Sequence, residues 1–334
     1  MSNVADVTEI NGILLLDKPT GITSNYALKQ VKKLFNQIFK QKIKAGHTGS
    51  LDPLATGMLP ICIGEATKFA RFLLDSDKQY IVTMQLGIKT DTGDIDGNII
   101  QELNNWQEVD LSPTTINRVL DSFIGKYNQV PPIYSAIKKD GVAYYKIARK
   151  SKAKGEDLQQ LTKPAARLIE IYQIKLLNIC KTNKLITLQV HCSKGTYIRS
   201  LVEDIAVKLN CLATVRDLRR IAIGNFLEQD LVNLSSLMST KTVELNSETF
   251  QQELLSKLLP LQACLASLKT YKVASNLALK LQQGQVITIE NPIDPHVKAN
   301  TPICIVEVSS SKLIGIGEIT ADNKLVPKRL LKLA

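Results

Sequence analysis

The sequence predicts an α+β fold: a mainly antiparallel, mixed sheet flanked by helices, with a small β-rich module at the C-terminal end. Three observations predict it. Segments such as QYIVTMQLGI (79–88) and KLITLQVHC (184–192) alternate with a period of two. Stretches of helical spacing lie between them, without the steady strand–helix repeat of a parallel sheet. After about residue 268 come three short strand-like runs, GQVITI, PICIVEV and LIGIGEI.

The elements follow in order. NGILLLDKPTGITS opens with an apolar strand, Ile13 to Leu16, and a Pro-Gly turn. Thr23 or Ser24 can cap a helix over about 24–40 whose apolar face is Ala27, Val31, Leu34 and Phe35. In QYIVTMQLGI, Tyr80, Val82, Met84 and Leu86 share one face, so Tyr80 is expected to point inward. In KLITLQVHC, Leu188, Val190 and Cys192 share one face and His191 the other. After SKGT the period becomes helical, with Ile198, Leu201, Val202, Ile205 and Leu209 in step, which puts Arg199 in the first turn of a helix. The expected organisation is a catalytic domain over 10–235, a helical connector over 236–267 and the β-rich module over 268–334.

Composition narrows the function. Of 334 residues 44% are hydrophobic, ordinary for a globular protein, and no apolar run suggests a membrane span. The N-terminus lacks a basic-then-apolar signal pattern, so a cytoplasmic protein is expected. The six cysteines form no Cys-x-x-Cys pair and read as reduced, buried side chains. Three histidines are too few for a histidine-rich metal centre, so no metal is expected.

The net charge is +11, and its distribution matters more than its total. Between Lys18 and Leu51 there are seven lysines and no acid. A second block, Lys138, Lys139, Lys146, Arg149, Lys150, Lys152 and Lys154, contains one acid, Asp140. It lies in a basic, polar arm over about 138–168. Two such blocks suit a polyanion, and nucleic acid is the commonest one.

The stretch AGHTGSLDPLATG (45–57) is the candidate for chemistry. Its glycines suggest a phosphate loop, but Gly57 is followed by Met-Leu-Pro where such a loop needs Lys and then Ser or Thr. What remains is a lone carboxylate, Asp52, before Pro53 and among small and apolar residues. It is expected to have little water around it and to need a cation as partner. DTGDIDG (91–97) resembles a calcium loop. Glu102 falls at the twelfth place from Asp91, but the glycine is seventh rather than sixth, so it reads as a turn.

GHTGSLDPLATGMLPICIGEATKFARFLL (46–74) closely resembles the motif of the TruB family of tRNA pseudouridine synthases. LLDKPTGITS, DSDKQYIVTMQLGIKTDTGDIDG, PPIYSAIKKDGVAYYKIAR, CSKGTYIRSLVEDI and LRRIAIGNF resemble that family in its order. IGIGEITADNKLVPKRL resembles the end of its PUA-like C-terminal module. The likeness covers about 10–230 and 305–332, and leaves 235–300 unaligned.

The resemblance implies the pseudouridine synthase fold and isomerisation of the T-loop uridine at tRNA position 55, with base flipping, no cofactor and a monomeric chain. It implies that Asp52 is the catalytic nucleophile, that Arg199 pairs with it, and that Tyr80 stacks on uracil and removes a proton. It puts His47 against the RNA beside the flipped base, Tyr197 and Leu218 around the uracil, and Lys68 near the site, on a phosphate or a local acid. The basic arm resembles the segment that orders on the RNA. His191 and His296 match nothing. Other classes remain: a tRNA-binding or folding chaperone that acts without catalysis, and a glycoside hydrolase, which would need a second carboxylate.

Overall fold

The computed structural model describes residues 10–156, 161–238, 247–289 and 299–332. His296 lies outside them, as do residues 157–160 of the basic arm and the connector segment 239–246. A ten-stranded sheet forms the main body. Its path runs Val232–Asn233, Gly12–Lys18, Thr56–Ile63, Ala213–Ile223, Lys78–Leu86, Leu185–Cys192, Arg167–Cys180 and Gly125–Gln129. Two neighbouring pairs on this path are parallel and the rest antiparallel, as the alternating segments predict.

One face is covered by the helices Ser24–Ile38, Pro113–Asp121 and Ile198–Lys208. The first buries Ala27, Val31, Leu34 and Phe35, the predicted stripe, and adds Ile38. Thr23, not Ser24, is its cap, accepting from the Tyr26 amide at 3.1 Å. Ser24 is taken up instead by a long-range contact described below. His191 rests against the ring of Tyr172, 4.9 Å between centroids, which gives it a packing role.

The other face of the sheet seats the C-terminal part. Ile13, Leu15, Met58 and Cys62 share a core with Cys264 and Leu265 of the connector and with Cys304, Leu313 and Ile316 of the tail. The tail is a second, five-stranded sheet with its own core. The three expected strands are there, shortened to Ile287–Thr288 for the first. Lys324–Leu330 and Thr270–Val273 join them. The helix Ser275–Gln282 had no distinct signal in the sequence. Among the described residues, no helix is long and apolar enough to cross a membrane.

Candidate active site

The loop carrying Asp52 lies between two antiparallel strands, Ala45–His47 and Thr56–Ile63. Four contacts give it one shape. Ser24 Oγ donates to the Leu51 carbonyl at 3.0 Å and accepts from the Leu51 amide at 2.7 Å. The Thr48 amide donates to Pro60 O, and the Ala55 amide to Asp52 O. Leu51 and Ala55 enter the core, which leaves Asp52 at the mouth. Its side chain is 42% exposed, so the expectation of a poorly hydrated carboxylate is corrected. The apolar residues beside it in sequence point away from it.

Beneath the loop is Lys18, with no exposed surface. Its ammonium donates to the carbonyls of Pro19 and Ile22 at 2.8 Å and of Pro53 at 3.2 Å. Its place among surface cations is therefore also corrected, because backbone carbonyls rather than water satisfy it. Burial lowers its pKa from 10.5 to about 8, while the charge of Asp52 pulls the other way. Between those values the unfolded chain holds a proton that the folded chain has released, so Lys18's contribution to stability rises with pH. Denaturant unfolding of the wild type and Lys18→Met at about pH 7 and about pH 9.5 is expected to show the wild type gaining on the variant at the higher pH. An unchanged difference would count against this ionisation.

The cation for Asp52 comes from Arg199, in the first turn of the Ile198–Lys208 helix and 5% exposed. Its Nε lies 3.0 Å from Asp52 Oδ2. Nη1 donates to Thr92 O at 2.6 Å and Nη2 to Tyr134 O at 2.8 Å. Asp94 Oδ2 stands 3.9 Å from Nη1, while its Oδ1 accepts from Thr92 Oγ1 at 2.6 Å. The fork is thus held on several sides and presents one edge to the carboxylate. Thr92 and Asp94 belong to the segment that resembled a calcium loop, so that turn forms part of the arginine's socket. Among the described residues, no cluster of side chains suits a metal ion.

Tyr80 is buried on the inward face of its strand, as predicted, and Asp52's charge bears on its phenol. Burial pushes that phenol up, and the charge of Arg220 opposes the shift. His47 is half-buried, and its Nδ1 is buried without a hydrogen-bond partner. Burial, and then Arg220, lower its pKa, so the ring is neutral at pH 7. Leu218 is buried opposite Val82 on the strand next to Tyr80. Tyr197 stands just before the arginine's helix, its amide donating to Gln129 Oε1 at 2.8 Å and its carbonyl accepting from Gln129 Nε2.

Lys68 is elsewhere. Its ammonium pairs with Glu65 at 2.5 Å and donates to Leu330 O at 2.9 Å, so it has the local acid rather than a site beside Asp52. Sequence reasoning missed Lys18 as a clamp, Ser24 as a loop anchor and Arg220 as a buried cation. The one available signal was that Arg219 and Arg220 sit in an alternating strand, which must turn one of them inward.

The chain is similar to known proteins along most of its length. Residues 36–198 match the family model described as TruB family pseudouridylate synthase (N terminal domain). Residues 199–266 match tRNA pseudouridylate synthase B C-terminal domain, and 271–331 match Pseudouridine synthase II TruB, C-terminal. These matches span most of the stretch the motifs left unaligned. The chain is 40% identical over 326 residues to a protein of Tolumonas auensis named tRNA pseudouridine synthase B, covering 97% of this chain and 93% of that protein. A protein of the same name from Shewanella pealeana is 39% identical, covering 97% and 96%. The fold is shared with the solved structure "Crystal Structure of a Cbf5-Nop10-Gar1 Complex", TM-score 0.70 and 22% identity, covering 97% of this chain and 84% of that one. It is also shared with "Structure of H/ACA RNP bound to a substrate RNA containing 2'-deoxyuridine", TM-score 0.66 and 21% identity, covering 98% and 86%. The chain belongs to the TruB family of pseudouridylate synthases.

Proposed function

We propose that this protein is a tRNA pseudouridine synthase that isomerises the T-loop uridine at position 55. The observation that carries the reading is the Arg199–Asp52 pair at the mouth of the site, with Tyr80 and His47 beside it, in a chain this similar to proteins of that name. The reaction breaks the bond from C1′ to N1, turns the base and joins C1′ to C5. Nothing is oxidised and no group enters or leaves.

Asp52 attacks carbon, and Arg199 aims it through the Nε contact at 3.0 Å. Tyr80 stacks on the uracil and takes up the proton released from C5. The target base must leave its stack to reach a buried tyrosine, and His47, neutral and with an unsatisfied nitrogen, is suited to the RNA beside the vacated place. Leu218 and Tyr197 shape the uracil pocket. A chaperone without catalysis would leave the held arginine and its carboxylate without a use.

The lysines of the Ser24–Ile38 helix and its following loop, among them Lys29, Lys33, Lys40, Lys42 and Lys44, are exposed. So are Lys146, Arg149 and Lys150 on the arm helix Tyr144–Ala153, whose buried face is Tyr144, Ala148 and Ser151. Lys152 differs, being paired with Asp91 at 2.6 Å. The free cations of the arm grip phosphates, which sets affinity rather than base choice. Reversing Lys146, Arg149 and Lys150 is expected to weaken tRNA binding and to lower the slope of log affinity against log salt by about two to three. An unchanged slope would remove the arm from the RNA footprint. The reading as a whole is tested by incubation with unmodified tRNA and mapping of pseudouridine at nucleotide resolution. Modification confined to another uridine would refute the assignment to position 55.

A further inference from the structure

Arg220 is 2% exposed and heads the largest fully buried side chains of the described residues. It stands on the Ala213–Ile223 strand with Tyr80 directly opposite on one side and Gly57 on the other. Its Nε donates to Met58 O at 2.8 Å and its Nη2 to Gly49 O at 2.9 Å. One guanidinium therefore ties the end of the His47–Gly49 turn to the strand that follows Asp52. Gly57 permits this closeness. Its φ is +94°, and a Cβ there would lie 2.3 Å from the Arg220 carbonyl oxygen.

The charge is the unusual part. Among the described residues, no carboxylate lies within ion-pair distance of Arg220. Its charge instead opposes two other buried cations, Lys18 of the first strand and Lys78 at the start of the Tyr80 strand, and also protonation of His47. A buried cation without a counter-charge costs stability. Two carbonyls could be served by a neutral donor, so holding the loop does not account for the charge. The residue paired directly with Arg220 across the strands is Tyr80, whose phenol feels that charge. The other groups bearing on that phenol are Cys192 from the neighbouring strand and Asp52 from the loop, and both act against ionisation, as burial does.

We propose that Arg220 is a positioning residue that acts through Tyr80, fixing its hydroxyl against the His47 turn and offsetting the negative charge that the phenol carries when it serves as proton acceptor. The inference rests on the function proposed above. The phenol first gives its own proton to water and then takes the C5 proton, while N1, freed from C1′, takes one from water, so Tyr80 ends the turnover neutral, as it began.

The test is a double-mutant cycle read by single-turnover pseudouridine formation on unmodified tRNA. Arg220→Gln is expected to lower the rate by about 10²-fold. In a Tyr80→Phe background the same change is expected to cost less than about threefold, because the partner through which Arg220 acts is gone. A fluorotyrosine at position 80, whose phenol ionises more readily, is expected to restore about tenfold of the rate lost by Arg220→Gln. A merely structural role would show no such rescue. Arg220→Lys, which keeps charge but not the fork, is expected to fall between the two. Additive losses, or absence of rescue, would overturn the proposal. So would failure of both Arg220 variants to fold, which would assign the residue to the core alone. A wild type that forms no pseudouridine refutes the function itself, whereas an active wild type with an additive cycle refutes only the role of Arg220.

Discussion

Asp52→Asn is expected to abolish pseudouridine formation, lowering single-turnover rates by about 10⁴-fold or more, while tRNA affinity stays within about threefold. The amide keeps the shape of the side chain, and its oxygen still accepts from Arg199 Nε, now 3.0 Å from Oδ2. The loop itself is held by Ser24, Lys18 and Thr48, none of which bonds the Asp52 carboxylate. Only the negative charge and nucleophilicity are lost. Filter binding beside a turnover assay separates the two effects. Ordinary turnover by the variant would remove Asp52 from the chemistry.

Arg199→Lys is expected to be nearly as harmful, although it keeps the charge. An ammonium is a point donor on a flexible stem and cannot reach Asp52, Thr92 O and Tyr134 O together in the geometry of a planar fork. Carbonyls left without a donor cost roughly 1–3 kcal/mol each, which lowers the denaturation midpoint. The misdirected carboxylate is expected to cost a further 10² to 10³ or so in rate. The two readouts should part at low temperature, where the variant is folded but slow. Wild-type rates from a folded Arg199→Lys would show that the pair has no part in turnover.

Much of this site was legible because its side chains lie on regular elements. The period of two turns Tyr80 inward, and the change of period after SKGT puts Arg199 at a helix start. The apolar stripe of the first helix is equally plain. What was not legible depends on backbone atoms and on distant chain. Lys18 looked like one more lysine in a basic run, because the carbonyls of Pro19, Ile22 and Pro53 that bury it carry no sequence signal. Arg219 and Arg220 look alike in sequence. Yet Arg219 pairs with Asp17 at 2.9 Å, while Arg220 goes inside, and alternation says that they part but not which goes where. Asp52's exposure was misjudged because its apolar neighbours in sequence are not its neighbours in space. For Lys68 the acid three residues earlier was visible, but the carbonyl of Leu330 was not.

The seat of the C-terminal module has a consequence for how the chain comes apart. Met58 and Cys62 lie on the strand that leaves the Asp52 loop, and they share a core with Cys304, Leu313 and Ile316 of the tail. Lys68 on Leu330 and Glu65 on the Lys332 amide close the same seam. Tail and sheet are therefore expected to melt as one cooperative unit, and cutting the chain near residue 270 is not expected to release a sound catalytic half. It uncovers an apolar face on the back of the strand that steadies the reactive loop, so turnover is expected to fall and aggregation to rise although Asp52, Tyr80 and Arg199 are still in place.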